Sequence, residues 1–244
     1  MRRLSWLLSL AVLGTAHPAQ ASTIVPGPFL TVCANTECVE VPDAFAPVND
    51  SVSTVETRLQ LAGSTVVISG LVDRDPFIAF TVMTTNFVPS PLTFSILFGT
   101  PIVPANYRYA VSSLSATVSS TPTTAAVVSS PGTYPTFLSG YGTLGAAPTN
   151  LGVDLGTTSC ASAAGNAPTT CAYGSTSNTF SPTAFDGMRA LLTYQQTGGG
   201  SMAAWQGRVD LLEQAPPVPE PGTLAMLVVA LGAPLVRRRR TPRP

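Results

Sequence analysis

Leu92-Thr93-Phe94-Ser95-Ile96-Leu97-Phe98 is the stretch from which the fold can be read. Leu92, Phe94, Ile96 and Phe98 fall on one side and Thr93 and Ser95 on the other, the period of two that belongs to a strand with one buried face. Working outward, Ile78 to Met83 repeats the pattern with Ile78, Phe80 and Val82 pointing inward. The segment between the two carries Asn86 and Pro89-Ser90-Pro91, residues that stop a strand and permit a turn, so the two runs are expected to pair as a hairpin. Val52 to Gln60, Thr65 to Leu71 and Leu114 to Val118 read as further strands. Near the end, Met188 to Gln195 and Met202 to Leu212 flank Thr197-Gly198-Gly199-Gly200-Ser201. That reads as a second hairpin, with Trp205, Val209 and Leu211 toward the core and Gln206, Arg208 and Asp210 toward water.

From about Ser119 to Pro182 the chain turns to Ser, Thr, Ala, Gly and Pro with few large apolar residues, which predicts long loops or weak strands. No long helical period appears. Many short strands separated by turn residues predict an all-β fold, an antiparallel β-sandwich with long Ser/Thr/Gly-rich loops spanning residues 22–214.

The two ends read differently. Arg2-Arg3, the apolar run Leu4 to Leu13 and Ala19-Gln20-Ala21 form the three parts of a secretory signal, so residues 1–21 are expected to be a signal peptide. Cleavage after Ala21 by a signal peptidase makes Ser22 the new N-terminus, and the export machinery is a partner. At the other end, the Pro-rich strip 215–221 precedes the apolar run Gly222 to Val236 and the basic tail 237–244, which begins Arg237-Arg238-Arg239-Arg240. Fifteen residues at about 1.5 Å each span only ~22 Å, short of a ~30 Å hydrocarbon core. The run predicts a single, marginal transmembrane helix, with the four arginines holding its C-terminus in the cytoplasm.

Between the ends, twelve acids face five arginines (Arg58, Arg74, Arg108, Arg189, Arg208), and the whole chain has no lysine. A net charge of about −7 repels phosphate backbones, so nucleic acid is excluded as a partner. The only histidine, His17, lies in the signal peptide; its loss leaves no imidazole for a His-based triad or the usual zinc site. No cofactor or metal is expected.

Four cysteines form two local pairs, Cys33 with Cys38 and Cys160 with Cys171. Three connectivities are possible, and the local one is preferred on proximity. Closing loops this short is worth about 2 to 3 kcal/mol each, enough to staple a loop and too little to hold a fold together.

The C-terminal arrangement closely resembles the PEP-CTERM sorting signal of exopolysaccharide-producing Gram-negative bacteria. The resemblance covers Val218 to Arg240, where the triplet Pro219-Glu220-Pro221, the apolar run and the arginine cluster come in order. It implies handling by an exosortase-type membrane peptidase, with Pro219, Glu220 and Pro221 as recognition residues of a substrate. Proline on both sides of Glu220 keeps this strip extended and accessible, as a protease requires. A plain single-pass anchor is the alternative. The segment from Phe185-Asp186-Gly187-Met188 through Gly198 to Met202 also resembles the domain end common in such proteins, and implies no activity.

Three constellations could carry chemistry. Asp73 and Asp75 in Asp73-Arg74-Asp75-Pro76 could share a calcium ion, but no D-x-D-x-D-G loop follows and a strand-ending turn screened by Arg74 fits as well. Asp154, Asp186, Asp210 and Glu213 could supply a glycosidase pair, or simply be surface acids. Tyr107, Tyr109, Tyr134, Tyr141 and Tyr173 fall in or beside predicted loops, where exposed rings could stack on sugars. Together these observations predict a non-enzymatic exported protein, held at the inner membrane before sorting to the cell surface or extracellular matrix. A carbohydrate-binding module with exopolysaccharide as partner is the second reading, and a secreted hydrolase the third.

Overall fold

The computed structural model describes residues 27–132, 134–145 and 147–214. Ala19, Ala21 and Ser22 of the expected cleavage site lie outside the described residues, as do Pro219, Glu220, Pro221, the apolar run 222–236 and Arg237 to Arg240. Among the described residues no helix is long and apolar enough to cross a membrane.

The described residues form an all-β fold of two antiparallel sheets. In chain order the strands are β1 (Phe29–Ala34), β2 (Glu37–Glu40), β3 (Phe45–Pro47), β4 (Val52–Leu61), β5 (Ser64–Asp73), β6 (Phe77–Asn86), β7 (Leu92–Pro101) and β8 (Tyr107–Ser119). They continue as β9 (Ala126–Ser129), β10 (Leu138–Leu144), β11 (Ala147–Asn150), β12 (Cys160–Ser162), β13 (Thr169–Thr183), β14 (Gly187–Gln196) and β15 (Ser201–Leu212). The first sheet runs β11-β10-β14-β7-β1-β2, with β9 on β14 and β12 on β9; the second runs β13-β8-β15-β6-β5-β4-β3.

The alternation that defined the strands also sets the core. Leu92, Phe94, Ile96 and Phe98 of β7 are all buried, as are Ile78, Phe80 and Val82 of β6 and Trp205, Val209 and Leu211 of β15. Their inner faces meet between the sheets. Phe80 of the second sheet stacks on Phe98 of the first with ring centroids 4.8 Å apart. Trp205 lies 4.8 Å from Tyr194 and 5.0 Å edge-on from Phe137. Rings in such offset and edge-on contacts gain something beyond the apolar area they bury.

Both expected hairpins are absent, for one reason. β6 pairs with β5 and β15 while β7 pairs with β1 and β14, so the 87–91 connection crosses from one sheet to the other. The 197–200 connection likewise carries the chain from β14 in the first sheet to β15 in the second. Period-two alternation reports which face of a strand is buried and is silent about which sheet the strand joins. Two strands whose apolar faces look at each other across a core have the same pattern as two that lie side by side.

The two crossings pack against each other, and a buried polar cluster fastens them. Gly199 N–H donates to the Val88 carbonyl at 2.8 Å, and Gly200 N–H to the Asn86 carbonyl at 2.7 Å. A Cβ on Gly198 would stand 2.1 Å from the Val88 oxygen, so only glycine lets the backbones approach this closely. Beneath them, the Asn86 amide donates to the carbonyls of Ser90 at 3.0 Å and Gln196 at 3.3 Å, while its oxygen accepts from Val88 N–H at 3.1 Å. Gln196 donates to Ser201 O at 2.8 Å and accepts from Thr84, whose hydroxyl also pairs with Tyr194 Oη at 2.9 Å. Asn86, Thr84, Gln196 and Ser201 are fully buried, and such groups are tolerated because they satisfy one another.

The Ser119–Pro182 stretch, expected to be loops or weak strands, holds β9 to β12 and nearly all of β13. The longest of these, β13, is an edge strand. A strand paired along one side needs few large apolar residues, which is why its sequence looked like loop.

Candidate functional site

Both cysteine pairs close locally. Cys33 and Cys38 face each other in register across β1 and β2, with Cα atoms 4.1 Å apart. The Cα atoms of Cys160 and Cys171 are 6.0 Å apart and join β12 to the edge strand β13, so the second bridge ties one sheet to the other.

The carboxylates are taken up by local structure. Asp73 ends β5, and its oxygen accepts Asp75 N–H at 2.9 Å, the turn that joins β5 to β6. Among the described residues no group of three metal-ligating side chains comes together. Asp186 accepts from Gly145 N–H at 2.7 Å and Thr143 Oγ1 at 3.4 Å, holding the end of β10 beside β14. Asp154 accepts from the Asn150 amide at 3.0 Å. Asp210 holds the Arg208 guanidinium through three contacts of 2.6 to 2.9 Å. These bonds raise the pKa of Arg208 above its ordinary value. Glu213 is exposed just past the end of β15. Asp186 is bound to the first sheet and Asp210 lies on the second, each with its own partners.

The five tyrosines separate into two groups. Tyr107 is buried, 3 % exposed, and donates its hydroxyl to the Val103 carbonyl. Burial, with the nearby charges of Glu213 and Asp75, pushes its pKa up to about 12. Tyr173 packs edge-on to Phe137 at 5.3 Å and beside Trp205 at 6.1 Å, and burial raises it to about 12 as well. Both residues are packed at the margin of the core, in β8 and β13, which corrects the expectation that they stand in loops with exposed rings. Tyr109 and Tyr141 are half-buried on outer faces, and Tyr134 is 45 % exposed in the loop before β10. Tyr141 is the cross-strand partner of both Asn150 and Arg189, and the Arg189 guanidinium lies 5.6 Å over the Phe29 ring.

One feature has no signature within any single strand. On the outer face of the second sheet lies an open trough of about 490 Å³ that crosses β13, β8, β15, β6 and β5. Its floor is made by the short side chains of Ser113, Ser115, Ala79 and Thr81, and its sides by Leu71, Gln206 and Arg208. Arg208 is held in place from two directions, by Asp210 and by the Phe77 ring, whose centroid is 4.3 Å from its guanidinium. Beneath the floor, the Phe80 ring occupies the space a side chain at Gly207 would need, its nearest carbon 2.3 Å from where a Cβ would stand. Outward small residues are visible one strand at a time in the sequence, but only the register sets Ser113, Arg208, Ala79 and Leu71 in one row. The trough offers hydroxyl groups, an amide and a fixed cation to solvent.

No protein-family model matches the chain, and no curated protein matches it. Among solved structures, it is similar to the enzymatically active domain of tailspike protein 4 of bacteriophage CBA120, with 13% sequence identity and a TM-score of 0.25. The alignment covers 77% of this chain and 20% of that one, so this chain spans about a fifth of its length. A TM-score this low carries no argument about function.

Proposed function

We propose that this chain is an exported β-sandwich that serves as a cell-surface or extracellular-matrix component, without enzymatic activity of its own. In this reading an exosortase-type peptidase sorts it through Pro219-Glu220-Pro221, while Arg237 to Arg240 fix the orientation of the span. One observation carries the non-enzymatic part: of the four candidate carboxylates, Asp154, Asp186 and Asp210 are each held by a separate local partner and Glu213 stands exposed past β15, so no two are set facing each other. A catalytic pair needs two carboxyls facing one substrate, with at least one free to exchange a proton. Export is supported by the two closed disulfides, which persist in oxidising compartments.

Carbohydrate binding is the second reading, favoured by Tyr141, whose half-buried ring shares a row with Asn150 and Arg189 on the outer face of the first sheet. Tyr141→Ala abolishing capture by exopolysaccharide would establish it, and unchanged capture would remove it.

The sorting reading is tested by intact mass in the membrane and extracellular fractions of an exporting host. Replacing Pro219-Glu220-Pro221 with alanines extends the helix outward and leaves full-length protein in the membrane. Neutralising Arg237 to Arg240 instead disturbs orientation. An alanine variant that is processed and released like the parent defeats the sorting reading and leaves a plain anchor.

A further inference from the structure

We infer that the outer edge of β13 is a self-pairing surface, through which two copies of this chain join their second sheets antiparallel, edge to edge. A sheet edge presents unpaired backbone N–H and C=O groups, and proteins blunt such edges with charge, proline or brevity. Four of the five terminal strands among the described residues are blunted. β2 carries Glu37 and Glu40, β3 has three residues and ends in Pro47, β11 has four residues with Pro148 among them, and β12 has three residues. β13 is different: its fifteen residues, Thr169 to Thr183, include no charged side chain, and their only proline is Pro182. Among the described residues its one strand partner is β8.

Within β13 the pairing with β8 runs without a register shift from Gly174 opposite Leu114 to Thr179 opposite Tyr109. That leaves Gly174-Ser175-Thr176-Ser177-Asn178-Thr179 as a regular template, with about half its backbone groups directed away from β8. Charge selects the occupant. Between Gly27 and Gln214 eleven acids face five arginines, so most surfaces of two copies repel each other. The β13 edge is a neutral strip against which a second neutral strip is not repelled. Strand pairs of this composition already occur in the sheet, where the hydroxyls of Thr117 on β8 and Thr170 on β13 lie 3.0 Å apart. An antiparallel pairing of identical edges is twofold and closes on itself, so it gives a dimer and no fibre.

The pleat narrows the register. For the outer faces of both sheets to stay on one side, odd residues must oppose odd residues, which puts the twofold axis on a residue and not between two. Centred on Thr176 or on Ser177, the pairing opposes residues from the outward set Ser175, Ser177 and Thr179.

The test is sedimentation velocity of the full-length chain over a concentration series, with one detergent throughout. The parent is expected to pass from monomer to dimer. The double variant Ser175→Lys with Ser177→Lys sets lysine against lysine in either register and weakens the dimer by about tenfold or more. Ser175→Asp with Ser177→Asp does the same, and an equimolar mixture of the two variants recovers the parental affinity as a heterodimer. These side chains point to solvent, so far-UV circular dichroism and closed disulfides should be unchanged. A parent that is monomeric at every concentration overturns the inference. So do Lys and Asp variants that each dimerise as tightly as the parent, or a mixture that fails to recover.

Discussion

Asn86→Ala tests whether the buried polar cluster is what fastens the two crossings. The side-chain amide makes three bonds, to Ser90 O, Gln196 O and Val88 N–H, all with residues of the crossings or the strand ends beside them. Alanine removes all three and leaves the Gln196 carbonyl in a buried site, while the Ser90 and Val88 partners are part-buried. At about 1 kcal/mol net per bond, the expected loss is about 3 kcal/mol, within a range of about 2 to 4 depending on how far the crossings relax. In a chain of this size that corresponds to a fall in Tm of about 6 to 12 °C. Urea unfolding of the disulfide-intact protein should show the midpoint falling with little change in slope. Thr85→Ala, next in the chain with its side chain outward, is the control and should stay within about 0.5 kcal/mol of the parent. Gln196→Ala should be comparably costly, and its double variant with Thr84→Val should fall short of additivity because the Thr84 hydroxyl donates to the Gln196 amide oxygen. A loss under about 1 kcal/mol for Asn86→Ala, or full additivity, would refute the idea that the cluster acts as one fastening.

Removing Cys160 and Cys171 together should cost about 3 kcal/mol and removing Cys33 and Cys38 about 2, because the closed loops differ in length; urea midpoints of the two double-alanine variants check the order, and neither should unfold the sandwich. Stability should fall as the pH rises from about 10 through about 12, where the unfolded chain ionises its tyrosines while folded Tyr107 and Tyr173 still hold their protons. Buried Tyr194, raised further by desolvation, extends the same trend upward, and the tyrosinate absorbance that Tyr194→Phe removes should appear together with unfolding. Gly207→Val should cost about 1 to 3 kcal/mol by displacing the Phe80 ring from Phe98, with a change in near-UV circular dichroism. Phe80→Leu in the same chain should recover part of that loss, since it removes the ring that the added side chain would strike.

Much of this molecule is legible from its residues alone, because the features concerned are local. Leu92 to Phe98 determined its own conformation and buried face, since alternation is a property of one strand and the solvent beside it. The strand at Leu114 to Val118 and the inward Trp205, Val209 and Leu211 follow from the same rule. Cysteine proximity determined both disulfides, because a short loop closes more readily than a long one. Asp73-Arg74-Asp75-Pro76 determined its own turn.

What the tertiary structure alone decided is which strands are neighbours. Pro89-Ser90-Pro91 and Gly198-Gly199-Gly200 are as compatible with a hairpin as with a crossing, and the choice rests on Asn86, Thr84, Gln196 and Ser201 meeting from distant parts of the chain. Tyr107 and Tyr173 read as residues in or beside loops; whether a ring is covered depends on Val103, Phe137 and Trp205, which the local alternation does not report. The trough and the β13 edge, which pairs with no second strand among the described residues, are likewise products of register and strand order. Side chains such as Ser113, Ala79 and Leu71 form one surface only when pairing sets them in one row, and that pairing depends on contacts between residues far apart in the chain.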